Sequence, residues 1–300
     1  MEISQFFMKG DMKGAIAYMR EHEEFRDVLP AYTAIFEERE YRTFEVPERL
    51  NEILRWYQVY FRDTFYLGLP EAEAADKLRA GLGALLGMPG VEEALLTERL
   101  RALFEAEGYH ALFGKTQGYY GPYIWRETVP TVYQVQLPDG TAEYTVNLLK
   151  GFVFRGWMDY LTFGRYGTGG WASPDGTINC VERAYDLESE RFQVSLLKHE
   201  AQHTADMKRF PGITPAELEC RAKLVELHYA SDLGLLRKFL SEAEESRAGD
   251  SHAAASVRIR QDFADTDPGS LSRVQAQALE LLRAHTKEME EKYGGQAPND

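Results

Sequence analysis

The residues with the clearest capacity for chemistry are His199-Glu200-Ala201-Gln202-His203. On a helix, two histidines four positions apart project from the same face, one turn apart, so both imidazoles can reach one tetrahedral zinc ion. Glu200 then lies beside the first histidine, where its carboxylate can take a proton from a water on the metal. A catalytic zinc needs a third protein ligand and one open position. Thr214-Pro215-Ala216-Glu217 has the form of a capping box with proline at the first helical position, so a second helix starts a short turn after the first. Two glutamates lie near its start. Glu217 is engaged by the cap, which leaves Glu219 as the third ligand, and Ala222 one turn on allows close helix approach. Asp206 is a candidate to hydrogen-bond a ligand histidine from behind, and Glu226 and His228 are weaker ligand candidates.

A helix must frame this set. Phe192, Leu196, His199, His203 and Asp206 fall at the spacings of one helix face, so the histidines continue an apolar stripe. Asp186 or Ser189 can cap its start, and Pro211-Gly212 ends it.

His199-Glu200-x-x-His203 followed by Glu219-x-x-Ala222 resembles the gluzincin zinc metallopeptidases, the group of thermolysin-like enzymes. The resemblance covers about residues 192–227. It implies a zincin-like core, zinc held by His199, His203 and Glu219, and Glu200 as general base in hydrolysis of a peptide or protein substrate. The interval from His203 to Glu219 is shorter than in thermolysin, and no tyrosine or histidine that would polarise the substrate carbonyl is identifiable. A catalytically silent zinc-binding sensor or interaction protein on the same fold is the alternative.

The remaining chain reads as α+β, mainly helical with a small antiparallel sheet. Helical spacing recurs over 11–22, 47–65, 71–86 and 91–107 within a helical region, 1–118. A catalytic region, 119–249, opens with alternating stretches at 131–137 and 141–149 around Pro138-Asp139-Gly140, a hairpin pattern. Residues 157–163 suit a short helix, and 171–173 and 177–181 suit a second hairpin around Pro174-Asp175-Gly176. Gly164, Gly167, Gly169 and Gly170 lead into a strand rather than a helix, which suits close passage of a chain and not a phosphate cradle. C-terminal helices and a tail fill 250–300, with a disordered end expected from Gly294 and a solvated charge run at 242–245.

Bulk properties narrow the function classes. The 300 residues carry a formal net charge of −14, which repels phosphate backbones and argues against nucleic-acid and anionic-membrane partners. Two cysteines, Cys180 and Cys220, make no disulfide framework and suit small core positions. No apolar run approaches a membrane span and the N-terminus lacks a secretory pattern, so a cytoplasmic setting is expected.

Overall fold

A computed structural model describes residues 3–173, 177–243, 250–264 and 269–294. The turn expected at Pro174-Asp175-Gly176, part of the charge run at 242–245, and the tail beyond Gly294 lie outside the described residues. The helices are α1 (Ile3–Lys9), α2 (Met12–Glu21), α3 (Leu29–Phe36), α4 (Glu48–Phe61), α5 (Glu71–Leu85), α6 (Glu93–Ala106), α7 (Gly156–Leu161), α8 (Glu190–Phe192), α9 (His199–Arg209), α10 (Pro215–Tyr229), α11 (Gly234–Glu242), α12 (Ser251–Asp262) and α13 (Leu271–Tyr293). The strands are β1 (His110–Leu112), β2 (Lys115–Thr116), β3 (Tyr119–Tyr120), β4 (Tyr123–Trp125), β5 (Glu127–Leu137), β6 (Gly140–Lys150), β7 (Phe154–Arg155), β8 (Gly170–Ala172) and β9 (Ile178–Val181). The fold is thus α+β with small antiparallel sheets, as the sequence pattern predicts.

The chain divides into two compact units, and neither is continuous. One comprises Met1–Glu127 and Leu149–Thr168; the other comprises Thr128–Leu148 and Gly169–Asp300. This cut differs from the regions 1–118, 119–249 and 250–300 expected from composition. The hairpin β5–β6 leaves the first unit and returns to it, and α12 and α13 share a core with the histidine helix. Nothing in local periodicity marks such an excursion.

In the first unit, Phe7, Phe36, Leu54, Phe61 and Phe104 are among the buried residues of a helical core. Antiparallel β1–β4–β7 and the two-stranded β2–β3 complete it. The short helix α1 and the strands β1–β4 are too brief for periodicity to reveal.

In the second unit the sheet order is β5–β6–β9–β8, which makes β8 an edge strand. Strand β8 pairs antiparallel with β9, with Trp171 opposite Asn179. A Cβ at Gly169 would lie 2.6 Å from the Tyr185 hydroxyl, and one at Gly170 would lie 2.7 Å from the Asn179 carbonyl oxygen. The glycines therefore serve close chain approach, as their context in sequence suggests. Phe192, Leu196, Leu224, Ile259 and Leu282 are among the residues that join the sheet, α8–α10, α12 and α13 in one core.

Candidate metal centre

Ser189 caps the start of the histidine segment: its hydroxyl oxygen accepts from the Phe192 N–H at 3.3 Å. The segment is not α-helical throughout. Gln193–Lys198 forms a π-helical stretch, and regular α geometry resumes at His199. A π turn inserts an extra residue and rotates the helix beyond it, so the apolar spacing from Phe192 to His199 is not that of one α face. From His199 to His203 the α spacing holds, and the two rings sit with centroids 4.5 Å apart. The Phe210 N–H closes the end on the Asp206 carbonyl, and Gly212 takes φ +91° in the turn to α10.

Helix α10 opens on the expected capping box. The Thr214 N–H donates to Glu217 Oε2 at 2.9 Å, and the Glu217 N–H donates to the Thr214 hydroxyl at 3.4 Å. Glu217 also accepts from Lys292 Nζ and from the Tyr293 hydroxyl, each at 2.7 Å, which ties the end of α13 to the start of α10. Glu219 is free of these duties and turns toward α9. Its Oε2 lies 3.4 Å from His199 Nε2, and its Oε1 lies 3.8 Å from His203 Nε2. One donor atom from each of His199, His203 and Glu219 falls within 4.8 Å of the others. Ala222 is fully buried, which lets α9 and α10 pack closely.

Two of these donors have no hydrogen-bond partner although they are buried: His203 Nε2 and Glu219 Oε2. Orphaned buried polar atoms are costly, and here both belong to the metal-ligand set. His252 Nδ1 approaches Glu219 Oε2 to 2.9 Å as a charge contact, without the alignment of a hydrogen bond. The set of two imidazoles and one carboxylate fits zinc in number and kind.

Behind the set, His199 Nδ1–H donates to Glu226 Oε1 at 2.7 Å, with Glu226 only 3 % exposed. That bond fixes the tautomer and points Nε2 at the ligand cluster. The sequence suggests Asp206 for this backing role and Glu226 as a weaker ligand; the structure reverses both. Asp206 is buried against Arg221, whose Nε–H donates to Oδ2 at 2.8 Å, and accepts from Gln202. Its contacts are thus with Arg221 and Gln202 and not with either imidazole. His228 belongs to no cluster of metal-type donors among the described residues; its Nδ1–H donates to the Gln275 carbonyl at 3.1 Å.

The electrostatics follow from this crowding. Burial alone would lower the His199 pKa, but Glu219 and Glu226 outweigh it and raise it to about 10. Burial, reinforced by the His199 charge, lowers His203 to about 4. Burial works to raise Glu219, yet His199 and His252 hold its carboxyl well below the usual range. The site draws positive charge, which a proton on His199 or a divalent cation can each supply. Burial also holds the Glu200 carboxyl above its ordinary value, with the His199 charge opposing.

Comparison with family models, curated proteins and solved structures gave no match to this chain.

His252 is the site residue that sequence reasoning missed. It stands at the start of α12, whose N-cap Asp250 accepts from the His252 N–H at 3.0 Å. Its only local signal is that cap; the proximity to Glu219 comes from the packing of α12 on α10. A second cluster, Cys220, Asp262 and His285, has metal-type donors close together. There Arg258 already supplies the cation: its Nε–H lies 3.0 Å from both Asp262 oxygens and its Nη2 lies 3.1 Å from His285 Nε2. The proton of neutral His285 then sits on Nδ1, facing Cys220 Sγ at 4.0 Å. Cys220 is buried, its thiol pushed up to about 12 by burial, as suits a core residue.

Proposed function

We propose that this chain is a zinc-dependent hydrolase of peptide or amide bonds with a zincin-like, gluzincin-type site. The observation that carries the reading is the convergence of His199, His203 and Glu219, with two of their buried donor atoms lacking partners; Glu200 follows His199 on the same helix, where the charges of His199 and Glu219 act on its carboxyl. When bound, zinc supplies a Lewis acid that acidifies water and polarises a carbonyl. His199 and His203 from α9 and Glu219 from α10 hold it, and Glu226 orients His199. Glu200 accepts the proton of the attacking water and passes it to the leaving amine. Its burial and raised pKa favour that exchange near neutral pH. His252, with a 63 % exposed side chain, provides an imidazole donor at the rim. Edge strand β8 packs near α9 and offers main-chain groups to an extended peptide.

One observation favours a second reading. His252 stands close enough to Glu219 that a third imidazole, as fourth ligand, would close the coordination, as in structural zinc sites, and leave a silent zinc-binding protein. Glu200→Gln separates the two. It keeps size and hydrogen bonding but cannot take the proton. Zinc content, measured by elemental analysis, should remain about one per chain while turnover of a peptide library falls about 10²–10⁴-fold. Unchanged turnover refutes the general-base role. A zinc-loaded parent that cleaves nothing refutes the hydrolase reading in favour of the silent one.

A further inference from the structure

The first unit holds a cavity of about 560 Å³, within the size range of small-ligand sites. Phe7, Met19, Phe25 and Phe163 give it largely apolar walls. Phe7 and Met19 are buried, whereas Phe163 and Val28 stay exposed, so apolar surface reaches the rim. Four polar side chains line it, Asp27, Tyr32, Thr162 and Arg165, and burial separates them. Asp27 and Arg165 are exposed and opposite in sign, so water solvates both and neither sets a charge for the interior. Thr162 is buried but engaged: its hydroxyl donates to the Met158 carbonyl at 2.7 Å and accepts from the Tyr166 N–H at 3.0 Å. Tyr32 differs from all three. It is only 6 % exposed, and its hydroxyl has no hydrogen-bond partner among the described residues. Nor is that oxygen sealed from solvent, unlike the orphaned buried hydroxyls of Thr64 and Ser256. The hydroxyl therefore opens on the cavity that Tyr32 lines.

The phenol is held in place by two other wall residues. The Phe163 ring meets Tyr32 edge-on at 4.6 Å, and the Phe7 ring stacks on it at 6.0 Å. Phe163 takes φ +51° and Gly164 φ +85°. Left-handed geometry is unfavourable for an aromatic residue, so the surroundings must enforce it. They do: the Gly164 N–H donates to the Asp159 carbonyl at 2.8 Å, and Arg155 grips the Asp159 carboxylate through Nε–H at 2.8 Å. A donor fixed in this way loses little freedom when an acceptor meets it.

We propose that this cavity binds an uncharged, mainly apolar molecule carrying one hydrogen-bond acceptor, such as a ketone, with its body among the aromatic side chains and its acceptor on the Tyr32 hydroxyl. A charged ligand is disfavoured because the buried lining offers no counter-charge, and an ion drawn inside would lose its water without compensation. A phenol is more acidic than an alkyl hydroxyl and so the better donor, which is why the partner is an acceptor.

Calorimetric titration of the full chain with benzylacetone, butylbenzene, phenylpropanoate and phenylpropylamine tests this. The four are close in size and differ in carrying a ketone, no polar group, an anion or a cation. Benzylacetone should bind at least about tenfold more tightly than either ion, since each ion must be desolvated without a partner. Tyr32→Phe should weaken benzylacetone about fivefold, the scale of one neutral hydrogen bond, and leave butylbenzene unchanged. Ala31→Trp, at an exposed position lining the cavity, should abolish binding of both. Benzylacetone retained by Ala31→Trp would lie elsewhere and overturn the proposal. Unchanged benzylacetone affinity in Tyr32→Phe, or equal losses for benzylacetone and butylbenzene, would remove the hydroxyl from the site and overturn it as well. So would a parent that prefers either ion or binds no benzylacetone.

Discussion

Removal of the Glu226 carboxylate is the sharpest test of how the candidate metal centre is built. Glu226 touches no metal position; it acts through His199, holding Nδ1–H at 2.7 Å so that Nε2 faces Glu219. In Glu226→Ala the imidazole loses its anchor and its tautomer is no longer fixed. Loss of such a partner typically costs 10–100-fold in metal affinity, about 1.4–2.7 kcal/mol. A second effect opposes the first. Glu226 also helps hold a proton on His199, and that proton competes with zinc, so its loss eases metal entry. The net expectation is therefore the low end, about tenfold weaker zinc binding. Glu226→Gln keeps an acceptor for Nδ1–H and should recover most of the affinity. The assay is competition for zinc against a chromophoric chelator at one pH, with circular dichroism to confirm that each variant folds. Parent-like affinity in Glu226→Ala would refute the orienting role. Equal losses in the Ala and Gln variants would mean that charge, not orientation, is what Glu226 contributes.

Further outcomes separate neighbouring residues that look alike in sequence. Glu219→Ala should abolish tight zinc uptake with modest change in melting temperature. Glu217→Ala should leave uptake near parental but cost about 2 kcal/mol, the upper end for a lost cap, because the Tyr293 hydrogen bond goes with it. Calorimetric melting and zinc titration of both variants check this, and the reverse pattern would show that the two roles have been exchanged. Asp206→Ala should destabilise by about 3–5 kcal/mol by stranding Arg221, which is 1 % exposed, while the folded fraction still takes up zinc. Denaturant unfolding with and without zinc measures both quantities, and a cost below about 1 kcal/mol would contradict the buried pair.

Local sequence carried a good deal of this protein. Helical spacing located α2, α4, α5 and α6 to within a few residues, because each is long enough for an apolar face to repeat. The turn chemistry of Pro138-Asp139-Gly140 placed the β5–β6 hairpin. Thr214-Pro215-Ala216-Glu217 fixed where α10 begins, and that one start distinguished Glu217 as a cap from Glu219 as a residue turned toward the histidines. The features beyond local reach had a common cause. The partner of His199 is 27 residues away, Asp206 was claimed by an arginine 15 residues on, and His252 arrives from a separate helix. Charge and spacing within one helix cannot say which neighbouring helix will supply the opposing group. The π stretch at Gln193–Lys198 is likewise invisible locally, since its extra residue is tolerated through contacts with α9 and α10 rather than by any residue preference. The division into two discontinuous units obeys the same logic: a strand's partners are set by which faces can be buried together, and only the folded chain brings those faces into contact.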